Sequence, residues 1–148
     1  MRARQVRGPD GPGTEPGVLI LDVRRYRCVR CGAVVTVVPR GLVPRRHFSR
    51  AAIGQALLRY GVMQESRREV RKHTNPWRVV GDAAQAGWAA LGRWIAALGR
   101  GELWEVRAMP AAFTARQRAE RGAMTLVARA PAGTGTLLEQ VFAGAQSG

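Results

Sequence analysis

The period of the apolar residues changes once along this chain, and that change limits the folds open to it. Before Pro39 the apolar residues come in β-branched runs. Residues 18–26 place Leu19, Leu21 and Val23 on one face of an extended segment, and residues 33–38 read Ala-Val-Val-Thr-Val-Val. Beyond Ser49 the spacing becomes helical: Ile53, Ala56, Leu57 and Tyr60 recur at i, i+3, i+4 and i+7. The expected fold class is therefore α+β, a short N-terminal β-hairpin followed by a mainly α-helical bundle.

The helical half divides at its start and stop signals. Ser49 is placed to cap the first helix, and Gly61 stands at a C′ position. Residues 62–73 predict a second, weaker helix with Met63, Ser66 and Val70 inward and Arg67, Arg68, Arg71 and Lys72 outward; Thr74-Asn75-Pro76 ends it. Residues 85–98 predict a third, with Trp88, Leu91, Ile95 and Leu98 on one side and Trp94 adjoining. Gln85, Ala89 and Arg93 take its outer face. A polar helix over 114–124, a break over 131–135 and a short apolar helix over 136–143 complete the chain. Residues 1–17, with glycine or proline at 8, 9, 11, 12, 13, 16 and 17, read as a flexible arm. The expected divisions are an arm at 1–17, a hairpin with a basic connector at 18–48, a helix-turn-helix bundle at 49–104 and a C-terminal helical segment at 105–148.

Charge narrows the partner class. With 24 Lys+Arg against 10 Asp+Glu the formal net charge is +14, so the chain attracts polyanions: nucleic acid, or an anionic membrane surface. Residues 83–98 are interrupted by Gln85 and Arg93 and fall short of the roughly 20 apolar residues a spanning helix needs. Residues 1–17 lack the apolar core of a secretory signal, and a cytoplasmic location is expected.

The two cysteines, Cys28 and Cys31, are spaced as CxxC at the tip of the expected hairpin, followed by Gly32. That is the pattern of a zinc knuckle, in which two thiolates converge on one metal. Tetrahedral zinc takes four ligands, so the expected zinc site is incomplete. Three readings stay open: His47 and His73 complete it, the ribbon is degenerate, or the reading frame starts downstream of a first knuckle. A redox pair would sit at a helix N-terminus, whereas the residues after Cys31 read as a strand.

Tyr26-Arg27-Cys28-Val29-Arg30-Cys31-Gly32, then Val37-Val38-Pro39 and Leu42-Val43-Pro44-Arg45-Arg46-His47-Phe48-Ser49, resemble a family of small bacterial transposase-associated proteins with a zinc ribbon running into a helix-turn-helix. The resemblance covers about residues 18–104, includes the pair Arg93-Trp94 late in the third helix, and extends to Val141-Phe142-Ala143-Gly144-Ala145. The family's first knuckle is missing. The resemblance implies metal-ligand roles for Cys28 and Cys31, DNA contact through Arg45 and Arg46, and a third helix lying in the major groove. Trp88, Leu91 and Trp94 are expected beneath that helix as core.

The expected function is that of a DNA-binding accessory or regulatory protein of a mobile element, contacting duplex DNA through Arg45, Arg46, Arg67, Arg68, Arg71, Lys72, Gln85 and Arg93, with a transposase or a second copy of the chain as protein partner. RNA binding by a ribosome-associated zinc-ribbon module, or a degenerate fragment without activity, are the alternatives. No enzymatic activity is expected: Asp22, Glu65, Glu69, Asp82, Glu102 and Glu105 are scattered and mostly beside arginines, and the sole lysine, Lys72, follows no phosphate-binding loop.

Overall fold

The computed structural model describes residues 2–147. Its N-terminal part is an antiparallel sheet of β1 (Arg2–Pro9), β2 (Pro16–Arg27) and β3 (Val34–Val37) in that spatial order. The long β2 serves two partners in succession. Residues 16–23 pair with β1, from Pro16↔Pro9 to Val23↔Arg2, and residues 24–27 pair with β3, from Arg24↔Val37 to Arg27↔Val34.

The segment read as a flexible arm is thus a strand and its turn. Prolines and glycines cluster at the turn, where Thr14 N–H donates to the Gly11 carbonyl at 3.2 Å. Averaging composition over 17 residues hid the extended stretch ahead of it. That stretch is tied down: Val6 is buried, Arg7 N–H donates to the His47 carbonyl at 2.7 Å, and Ser49 N–H donates to the Arg7 carbonyl at 3.2 Å. Gly8, at φ 127°, lets β1 meet a helix, since a Cβ there would fall 2.3 Å from that of Ala52. Burial fades along β2: Val23 is buried, Leu21 half-buried and Leu19 exposed.

Helix α1 (Arg50–Gly61) starts where expected, with the Ser49 hydroxyl accepting from Ala52 N–H at 3.0 Å. It is buried almost all round, as a helix enclosed by others must be. Packed on it are α2 (Arg67–Thr74), α4 (Ala89–Gly99), α5 (Ala115–Val127), α6 (Leu137–Gln146) and β1; α3 (Asp82–Gln85) is a single turn in the connector. Gly61 does not take the left-handed C′ position. It is helical, and the chain continues right-handed at Val62 until Gln64, at φ 59°. What the site requires is space: a Cβ on Gly61 would lie 2.3 Å from the backbone nitrogen of Glu120, where α5 crosses.

Two expected helices are shorter than their periodicity implied. Ser66 does not face inward; its hydroxyl accepts from Glu69 N–H and caps α2, leaving residues 62–66 as a turn with Met63 exposed. The Arg59–Glu65 ion pair at 2.7 Å spans that turn. The expected helix over 85–98 is broken at Ala86, which is extended, and α4 begins after Trp88. Trp88 still points inward from an extended backbone and so preserved the helical spacing. With Phe48 and Trp94 it forms a triangle of edge-on rings with centroids 5.0–5.8 Å apart. Trp88, Leu91 and Trp94 are core, and Gln85, Ala89 and Arg93 are exposed, as expected.

Helices α5 and α6 carry capping boxes, Thr114 with Gln117 and Thr136 with Glu139. Both pack on α1, so one core runs from Phe48 to Ala145 and the division expected at residue 105 does not interrupt it. The chain is α+β, a three-stranded antiparallel sheet ahead of a mostly helical remainder. Within residues 49–104, α2 packs on α1 and β1 and α4 packs on α1 and α5, with residues 75–88 between them.

Candidate nucleic-acid interface

Helix α2 exposes charge because only two of its residues are needed inside. Val70 and Thr74, one helical turn apart, are buried, and the Thr74 hydroxyl donates to the Val70 carbonyl at 2.9 Å. Gln55 Nε2 of α1 donates to the His73 carbonyl at 3.0 Å and fixes the helix end. Arg68, Arg71, Lys72 and His73 are left to line a cleft of about 1130 Å³. Its other walls are the β1–β2 turn and the connector with Trp77, Arg78 and Gln85. Arg71 Nη1 donates to the Ala83 carbonyl at 3.1 Å, tying α2 to α3. The basic side chains outnumber the two acids on the wall, Glu15 and Asp82. Lys72 pairs with Glu69 at 2.9 Å, but both side chains are exposed, so water screens the pair and an incoming phosphate can replace it at little cost.

A second basic depression, of about 390 Å³, lies between β1, β2, β3 and residues 39–48 and is lined by Arg4, Arg7, Arg25 and His47 among others. Arg4 is held there by bonds from Nη2 to the Val43 carbonyl (2.8 Å) and the Arg46 carbonyl. Arg7 joins the two depressions. It lines the second, and its guanidinium carbon lies 4.1 Å from the ring centroid of Trp77, which lines the first. The two depressions, one lined by Arg4, Arg7, Arg25 and His47 and the other by Trp77, Arg78, Lys72 and Arg68, are joined at Arg7 and Trp77 and together make one basic band.

No family model, no curated protein and no solved structure matches this chain.

Of the expected contact residues, Arg68, Arg71, Lys72 and Gln85 meet in the cleft. Arg67 turns the other way, with its guanidinium 5.8 Å from the centroid of Tyr60. Arg45 and Arg93 are exposed, Arg46 is half-buried, and none of the three lines either depression. The exposed helix most densely set with arginine is α2 rather than α4. Sequence reading missed Arg4 and Arg7, because the glycines and prolines that follow residues 2–7 mask the strand; Arg25, in a segment it did read as extended; and Trp77 and Arg78, which lie in a connector without periodicity.

Cys28 and Cys31 are exposed at the hairpin tip. Cys28 N–H donates to the Ala33 carbonyl at 2.8 Å and Gly32 N–H to the Cys28 carbonyl at 2.9 Å, closing the turn. Backbone N–H groups of Cys31 and Arg30, together with the Cys31 side chain, hold the Cys28 thiol below its ordinary pKa. This is the backbone arrangement that favours thiolate and metal ligation. His47 and His73 stand instead at the two basic depressions. Among the described residues no group of three or more His, Cys, Asp or Glu side chains could hold a metal ion. One chain's thiols suit zinc in kind but supply half of its tetrahedron. Among the described residues no helix is long and apolar enough to cross a membrane.

Proposed function

We propose that this chain binds duplex DNA by laying the phosphate backbone along the band from Arg25 to Arg68, with α2 at the groove. The observation that carries the reading is the meeting of two arginine-lined depressions at Arg7. A track of cations longer than one cleft neutralises successive phosphates, and release of their counterions drives association. Helix α2 follows α1 after a turn of residues 62–66, the connectivity of a two-helix DNA-binding unit, and its eight residues span about 12 Å. Phosphate contacts position a protein without reading sequence, which suits an accessory or regulatory partner of a mobile element's transposase. That biological setting rests on the resemblance of the cysteine turn and connector.

The test is the salt dependence of binding to a short duplex. Replacing Arg68, Lys72 and Arg78 together by glutamine should flatten the slope of log K against log salt by about 0.9 for each phosphate left without its cation. An unchanged slope and affinity would remove the band from the interface. Exposed Trp77 favours a second reading, stacking of unpaired bases of a single-stranded RNA. Competition between the duplex and a single-stranded RNA decides between the two.

A further inference from the structure

We propose that the cysteine turns of two copies of this chain close on one zinc ion, so that Cys28 and Cys31 of each copy make a four-thiolate site joining two hairpin tips.

The donor set is the first argument. The chain has two cysteines, both at the tip, and no third ligand-forming side chain joins them among the described residues. Tetrahedral zinc bound through thiolates takes four ligands. A second identical tip supplies the missing pair in the same geometry, and a two-fold axis through the metal makes the two halves equivalent.

The second argument is what the tip leaves uncovered. Residues 24–27 and 34–37 pair only with each other, and every one of them is exposed. Tyr26, Val34, Val35 and Val37 are each about half exposed or more, and Val29, between the cysteines, is fully exposed. A two-stranded ribbon with no covering layer is marginal in water, and β3 is an unpaired sheet edge. Joining two tips covers these side chains and gives each ribbon a neighbour.

Charge is the third. Zinc with four thiolates carries a net charge of 2 − 4 = −2. Arg30 lies within the turn, and the Arg27 guanidinium reaches it, its Nη2 standing 3.9 Å from where a Cβ added to Gly32 would lie. Each copy therefore brings two cations to offset that charge. Each thiol gives up its proton to solvent as its Zn–S bond forms, and neither oxidant nor reductant takes part.

The experiment titrates the reduced, chelator-treated full chain with cobalt(II) and then zinc, following absorption and mass by light scattering. The expected result is saturation at about one ion per two chains, absorption bands of a tetrahedral cobalt–thiolate centre, and a mass rising from one chain to two as metal is added. The chelator should reverse all three. The double variant C28S/C31S should stay monomeric and take up no metal, with an unchanged helical circular dichroism spectrum, since the tip contributes nothing to the helical core. One ion per monomeric chain, no uptake, or a dimer that persists in chelator or in C28S/C31S would each overturn the proposal. The duplex titration with Arg68, Lys72 and Arg78 replaced tests the basic band separately, since those residues lie outside the ribbon.

Discussion

Gly61 and Gly92 both sit in helices, and their surroundings give opposite predictions for the same substitution. At Gly61 a methyl group would meet backbone atoms of Glu120 and Ala119 at 2.3–2.9 Å, so α5 would have to move away from α1. Gly61→Ala should therefore lower stability by about 1–3 kcal/mol, the range for overpacking a filled core. At Gly92, within α4, a Cβ would meet nothing within 4 Å. There alanine should add about 0.5–1 kcal/mol by restricting the unfolded chain and favouring helix. Urea unfolding of the two variants beside the parent checks both signs. The opposite order would mean that α5 does not close on Gly61. In the sequence Gly61 reads as a helix stop, because a missing side chain looks alike whether it is needed for a backbone angle or for an approaching neighbour.

Capped helix starts were only partly readable from the sequence, since Ser66, the cap of α2, reads there as an inward-facing helical residue. Ser49 reads as the cap of α1, because a cap acts within four residues of its own chain; the helices expected over 114–124 and 136–143 begin at Thr114 and Thr136, which the structure shows to be the caps of α5 and α6. The helices expected over 62–73 and 85–98 were too long, since Met63 and Trp88 kept the spacing while the backbone around them was not helical. Strand β1 was missed because its stability comes from β2 and α1, partners distant in sequence. The caps also carry a pH dependence. The N–H of Thr136, and then its hydroxyl, hold the Glu139 carboxyl below its ordinary pKa. A carboxylate with a depressed folded pKa contributes its stability above the unfolded value and loses it as pH falls through the folded one. Amide-exchange protection at the start of α6 should therefore decline on acidification below the ordinary carboxylate range. In Glu139→Gln that acid-dependent loss should be absent.

At the scale of the whole molecule, a net charge of +14 would attract DNA wherever the arginines lay. Half of the eight residues expected to touch nucleic acid do meet in one cleft, but the band that extends it depends on β1, which brings Arg4 and Arg7 beside a connector some forty residues away. That long-range pairing, and the path of residues 75–88 that sets Trp77 against Arg7, have no local signature, so this part of the site was not legible. Bulk attraction and a defined track make different predictions for two variants of equal charge. Arg7→Gln and Arg93→Gln each lower the formal charge from +14 to +13, and Arg93 lines neither depression. If only net charge matters, both lose affinity for a short duplex to the same small extent. If the band is the contact surface, Arg7→Gln removes the residue joining its two halves and should weaken binding about tenfold, the weight of one charge-assisted hydrogen bond of about 1.5 kcal/mol. Arg93→Gln should then stay close to the parent. Equal losses measured at the same ionic strength would assign the attraction to the whole surface and leave the track without a role.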